Sequence, residues 1–102
     1  MRPLLHPPAE EISLQGLLYA LADPTRLALF KTLSAEAGAA ISCVKCAPLD
    51  IPKSSLSRHL RILREAGLVR SERKGAEVVN RPRSDEVNAR FPGLLCAILG
   101  AP

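Results

Sequence analysis

Apolar residues recur along this chain at three- and four-residue intervals, the spacing of helices that bury one face. Leu14, Leu17, Leu18 and Leu21 open the series, and Ser13 stands where a helix N-cap is wanted. Ala22-Asp23-Pro24-Thr25 then marks a boundary. Asp23 can cap the free N–H groups of a new helix, and Pro24 suits its first position, where a missing N–H costs nothing. Leu27, Leu29, Phe30 and Leu33 surround most of that second helix, as expected of the central helix of a bundle. Arg26 shares a side with Leu29 and Phe30 and needs a buried partner, for which an ion pair is the expectation. Residues 36–40 read as a loop, 41–49 as a short helix limited by Pro48, and 50–52 as a turn. The strongest helical pattern is 53–66, with Leu56, Leu60 and Leu63 as its stripe and Gly67 placed for a left-handed C-terminal residue. Residues 68–73 and 76–81 read as two short strands joined by a turn at Lys74-Gly75. Ser84-Asp85-Glu86 starts another helix, Pro92-Gly93 breaks it, and Leu94, Leu95, Ile98 and Leu99 form a last apolar face. The pattern predicts a mainly α fold with one small β-hairpin. Residues 1–12, with Pro3, Pro7 and Pro8, read as a flexible N-terminal tail, and residues 13–102 as a single domain.

Composition narrows the function classes. A chain of 102 residues with 47% hydrophobic and 24% charged residues is a small globular domain. No apolar run approaches the ~18 residues of a membrane span, and the first residues lack the apolar core of a signal peptide. No membrane role and a cytoplasmic location are therefore expected. An odd number of cysteines, Cys43, Cys46 and Cys96, argues for free thiols rather than a disulfide framework. With two histidines, His6 and His59, and neither a phosphate-cradling loop nor metalloprotease spacing, nothing points to an enzyme or to a required cofactor.

Charge is placed unevenly. Residues 53–83 hold nine basic and three acidic side chains, while the chain as a whole carries only +4. A basic half on a small domain is the electrostatic footprint of a polyanion binder. Three helices with a basic third, followed by a hairpin bearing Arg and Lys, make the layout of a winged helix-turn-helix. Such a helix enters the major groove of double-stranded DNA, where its first small polar and basic residues reach base edges.

The segments Ala20-Leu21-Ala22-Asp23-Pro24-Thr25-Arg26-Leu27-Ala28-Leu29-Phe30 and Ser54-Ser55-Leu56-Ser57-Arg58-His59-Leu60-Arg61-Ile62-Leu63-Arg64-Glu65-Ala66-Gly67-Leu68-Val69 occur in that order. In both, the chain resembles the ArsR/SmtB family of bacterial winged-helix repressors, over roughly residues 14–81. The resemblance implies a homodimer formed through the first and last helices, reading a palindromic operator and released by a metal or another chemical signal. The implied dimer residues are Leu14, Leu17, Leu18, Leu21, Leu94, Leu95, Ile98 and Leu99. Carried over position by position, the recognition helix would use Lys53, Ser54, Ser55, Ser57, Arg58, His59 and Arg61. The wing would use Arg70, Arg73, Lys74 and Arg81. At the family's Cys-x-Cys this chain has Ile41-Ser42-Cys43, and Asp85-Glu86-Val87 lacks the histidine of its C-terminal ligand pair. The ligand sets of the metal-sensing members are thus incomplete at both places.

Cys43 and Cys46, at i and i+3, could hold one soft metal or metalloid ion, but a closed zinc site wants four ligands. Thiol oxidation and plain apolar packing are the other two readings of these cysteines, and Cys96 would join them only through the fold or across a dimer. Two further functions stay in view. A small thiol-disulfide oxidoreductase built on Cys43 and Cys46 needs a strand leading into the motif, and here an Ala/Gly loop precedes it. A protein-docking winged helix would be expected to lack the cationic face made by Lys53, Arg58, Arg61 and Arg64.

Overall fold

The structure, a computed structural model, describes residues 4–35, 41–42 and 51–100. Its elements in chain order are α1 (Leu14–Ala22), α2 (Pro24–Ala35), β1 (Ile41–Ser42), α3 (Lys53–Glu65), β2 (Val69–Lys74), β3 (Glu77–Pro82), α4 (Ser84–Arg90) and α5 (Leu94–Leu99), after a 3-10 turn at Ala9–Glu11. The helix boundaries follow from local chemistry. Ser13 Oγ accepts the Gly16 N–H at 3.0 Å, and Asp23 Oδ2 accepts the Arg26 N–H at 3.0 Å. The second bond, with Pro24 behind it, explains why α1 and α2 are two helices separated by one residue. It also holds the Asp23 carboxyl below its ordinary range. At the end of α3 the N–H of Leu68 reaches back to Leu63 O and that of Gly67 to Arg64 O, with Gly67 at φ 89°. This pairing ends a helix through a left-handed residue and turns the chain directly into β2.

The sheet is antiparallel in the order β1-β3-β2, with Arg70 opposite Arg81 and Lys74 opposite Glu77 in the hairpin. The expectation of a helix from residue 41 is corrected at its start. Ile41 and Ser42 form a strand opposite Asn80 and Val79, giving the hairpin a third strand. The remainder of that expected helix, 43–49, lies outside the described residues, as do Cys43 and Cys46. The core gathers Leu17, Ala20, Leu29, Phe30, Leu33, Leu60, Leu63, Leu68, Val69 and Val87, so it is built almost wholly of aliphatic side chains.

The segment before α1 also differs from the flexible tail expected of it. Ile12 is 1% exposed and belongs to the core. The Pro7 carbonyl accepts from Arg83 Nη1 at 2.9 Å, and the Glu10 carbonyl from Arg90 Nη1 at 2.7 Å. Proline content pointed to an extended, mobile backbone. It carried no information about where two distant arginines would find acceptors.

Candidate nucleic-acid interface

Helix α3 is strongly two-sided. Leu56, Leu60 and Leu63 face the core, while Lys53, Ser54, Ser57, Arg58 and Arg61 are exposed and Ser55 is half-buried. The exposed group sits in the first two and a half turns, and its serines keep the helix backbone accessible between longer arginines. His59 is the exception. It is buried, and its Nδ1 lies 3.3 Å from Arg26 Nη1. A guanidinium only donates, so in this contact Nδ1 can serve only as the acceptor. His59 is therefore a packing contact between α3 and α2, correcting its assignment to the DNA-facing set. The same geometry answers the expectation of an ion pair for Arg26. Its guanidinium bonds Ala20 O at 2.8 Å and Tyr19 O at 3.4 Å, and lies 5.4 Å from the Tyr19 ring centroid. Backbone carbonyls at the C-terminus of α1 serve where a carboxylate was expected, as suits the negative end of a helix.

In the wing, the register sorts the cations by face. Arg70, Glu72 and Lys74 alternate with Ser71 and Arg73 along β2, and alternate residues of a strand point to opposite sides. Arg70 and Arg81 are directly opposite, yet each has a carboxylate: Glu86 at 3.5 Å from Arg70, and Glu72 at 4.0 Å from Arg81. Arg73 points to the other side and borders an open cleft of about 690 Å³ between the wing and α3. Ser54, Ser57, Arg58, Arg61, Arg64, Glu65, Leu4 and Leu5 complete its lining. The structure thus brings together Ser54, Ser57, Arg58, Arg61 and Arg73. It places Arg70 and Arg81 in ion pairs on the opposite side of the hairpin.

Leu4 and Leu5 belong to this cleft without any expectation from the sequence, and Arg64, expected in the cationic face of α3, lines it as well. The charge of Arg64 was visible, but only the fold carries the C-terminal half of α3 back under the wing. Of the residues expected at a dimer interface, Leu17, Leu21 and Leu95 are buried within the chain. Leu14 and Leu18 are exposed, with Tyr19 beside them, and Leu94, Ile98 and Leu99 are half-buried. Cys96 is a free, exposed thiol on α5. Among the described residues no group of three or more His, Cys, Asp or Glu side chains could hold a metal ion, and no helix is long and apolar enough to cross a membrane.

A family model described as a helix-turn-helix domain matches residues 21–72, which run from the end of α1 into β2. The chain is 40% identical over 76 residues to the HTH-type transcriptional repressor SmtB of Mycobacterium tuberculosis, covering 74% of this chain and 55% of that protein. It therefore spans about half the length of that repressor. It is 37% identical over 100 residues to the biofilm growth-associated repressor of Agrobacterium fabrum, covering 98% of this chain and 81% of the relative. Among solved structures, an ArsR family transcriptional regulator superposes with a TM-score of 0.68 at 27% identity, over 82% of this chain and 90% of the other.

Proposed function

Because the chain belongs to the ArsR/SmtB family of winged helix-turn-helix regulators, which are DNA-binding transcriptional repressors and not enzymes, we propose that it acts in the cytoplasm as a homodimeric repressor. In this reading each protomer lays α3 into the major groove of one half of a palindromic operator. The observation that carries it is the cleft, in which the exposed hydroxyls and arginines of α3 and Arg73 of the wing share one surface. Exposed Leu14 and Leu18 on α1, with half-buried Leu94, Ile98 and Leu99 on α5, support pairing of two copies. Arg58, exposed near the start of α3, reads a base edge, while Lys74 at the tip of the wing meets phosphate. Release by a metal, metalloid or thiol-reactive signal would fall to Cys43, which holds the family's thiol position in the sequence ahead of α3.

Selection of bound DNA from a random pool, repeated with reduced, oxidised and metal-loaded protein, tests operator and signal together. With the selected operator and a scrambled duplex in hand, Arg58→Ala should lose ~1–3 kcal/mol of discrimination at one base pair per half-site. Lys74→Ala should weaken both duplexes alike and reduce the salt slope by about one per site. Equal loss on both duplexes for Arg58→Ala removes that arginine from base readout. Cys43→Ser should abolish any response to the signal while leaving basal binding unchanged.

A further inference from the structure

The N-terminal segment enters the DNA-facing cleft. Leu4 and Leu5 line it together with Ser57, Arg58, Arg61 and Arg73. Immediately after them, His6 Nε2 accepts the backbone N–H of Ser71 at 2.9 Å. Among the described residues β2 is an edge strand, so a donor turned away from β3 has no strand there to pair with, and the imidazole satisfies it. The Ser71 hydroxyl in turn donates to Asn80 Oδ1 at 2.7 Å and accepts from Arg64 Nη1 at 3.3 Å. Ser71 is 3% exposed and Asn80 is fully buried. One residue of β2 therefore ties the N-terminal segment to β3 and to the C-terminal half of α3.

We propose that His6 is a positioning residue for DNA binding: by accepting the Ser71 N–H it docks residues 4–7 along the edge of the wing, the docked segment holds the wing at the angle to α3 at which both meet one duplex, and a proton added to His6 weakens DNA binding. The proposal rests on the DNA-binding reading above. An imidazolium has no lone pair, so a protonated His6 would set N–H against N–H. The charged groups around it act in the same direction. Arg70 comes from β2, Arg64 from α3 and Arg83 from the turn before α4, whereas Glu86 of α4 is engaged by Arg83 and Arg70. Burial first, and these three arginines after it, hold His6 below the ordinary histidine value of 6.5. Docking is then complete above 6.5 and is lost progressively as the pH falls below it, because the undocked ring takes up the proton more readily. A histidine that served as a phosphate ligand would show the opposite sign, since its added charge would strengthen binding in acid.

The test compares the full chain with its His6→Gln and His6→Ala variants on DNA selected by the unsubstituted protein. A Gln carbonyl can accept the Ser71 N–H but does not titrate. At pH about 8, His6→Ala should bind about three- to tenfold more weakly, the cost of one hydrogen bond, and His6→Gln should match the parent. At pH about 5.5 the parent should lose affinity relative to His6→Gln. The Ser71 amide should exchange with solvent faster in His6→Ala than in the parent. Parent-like affinity of His6→Ala, or a gain of the parent over His6→Gln in acid, overturns the proposal. A parent protein that selects no DNA at all sinks the DNA-binding reading itself, and this inference with it.

Discussion

Gly67 and Gly75 both adopt a left-handed backbone, at φ 89° and 63°, but only one is enclosed. A Cβ on Gly67 would lie 2.5 Å from Ile12 Cγ1 and 2.7 Å from Ile12 Cδ1, whereas a Cβ on Gly75 would meet nothing within 4 Å. Gly75→Ala should therefore cost only the backbone penalty of about 1 kcal/mol. Gly67→Ala should cost that and a further ~1–3 kcal/mol for overpacking against Ile12. Urea unfolding of both variants measures the difference, and equal costs would mean that Ile12 moves aside freely. The need for a glycine at 67 was legible from the helix pattern that ends there. The second reason for it was not, because Ile12 is 55 positions away and nothing local connects the two. Arg26 teaches the same at residue level. Its burial beside Leu29 and Phe30 could be read from the spacing, but its acceptors on α1 and its neighbour His59 depend on how three helices cross.

At the scale of elements, α4 is held against the hairpin by a carboxylate between two arginines. Arg83 Nη2 donates to Glu86 Oε2 at 2.6 Å and Arg83 Nε to Oε1 at 3.0 Å, while Arg70 reaches Oε1 at 3.5 Å. The hydrogen bonds from Arg83, ahead of the charges of both arginines, hold the Glu86 carboxyl below its ordinary value of 4.5. This contribution is complete above 4.5 and is lost as the pH falls below it, since the unfolded chain takes up the proton first. Urea unfolding from about pH 7 to about pH 3.5 should show a shallower acid loss in Glu86→Gln than in the parent chain. An unchanged pH slope would exclude this pair as a source of acid sensitivity. The elements themselves were largely legible. The expected helix over 53–66 is α3, Lys53–Glu65, and the strands fall within a residue of expectation. β1 was missed because its two residues form a strand only by pairing with β3, some forty positions later, and carry no periodicity of their own.

For the whole molecule, the apolar surfaces separate into those that hold the chain together and those left over. A charge at Leu95, 3% exposed, should unfold the chain rather than dissociate a dimer, whereas Leu18, 48% exposed, can take a glutamate without disturbing the core. Sedimentation of Leu18→Glu should show a folded monomer, and Leu95→Glu should lose cooperative unfolding in circular dichroism. A Leu18→Glu dimer as tight as the parent would place the interface elsewhere. The order of helices and hairpin, the Asp23-Pro24 boundary, the basic exposed face of α3 and the family were all legible along the chain, because each is written in residues adjacent or one helical turn apart. Packing between elements turns His59 inward to Arg26 and sets Arg73 rather than Arg70 toward the cleft. It also decided that His6 reaches the wing and that Leu17, Leu21 and Leu95 are spent within the core. Those outcomes depend on which elements pack and in what register. A side chain's partner across the fold is set by that packing and not by the pattern of its neighbours along the chain.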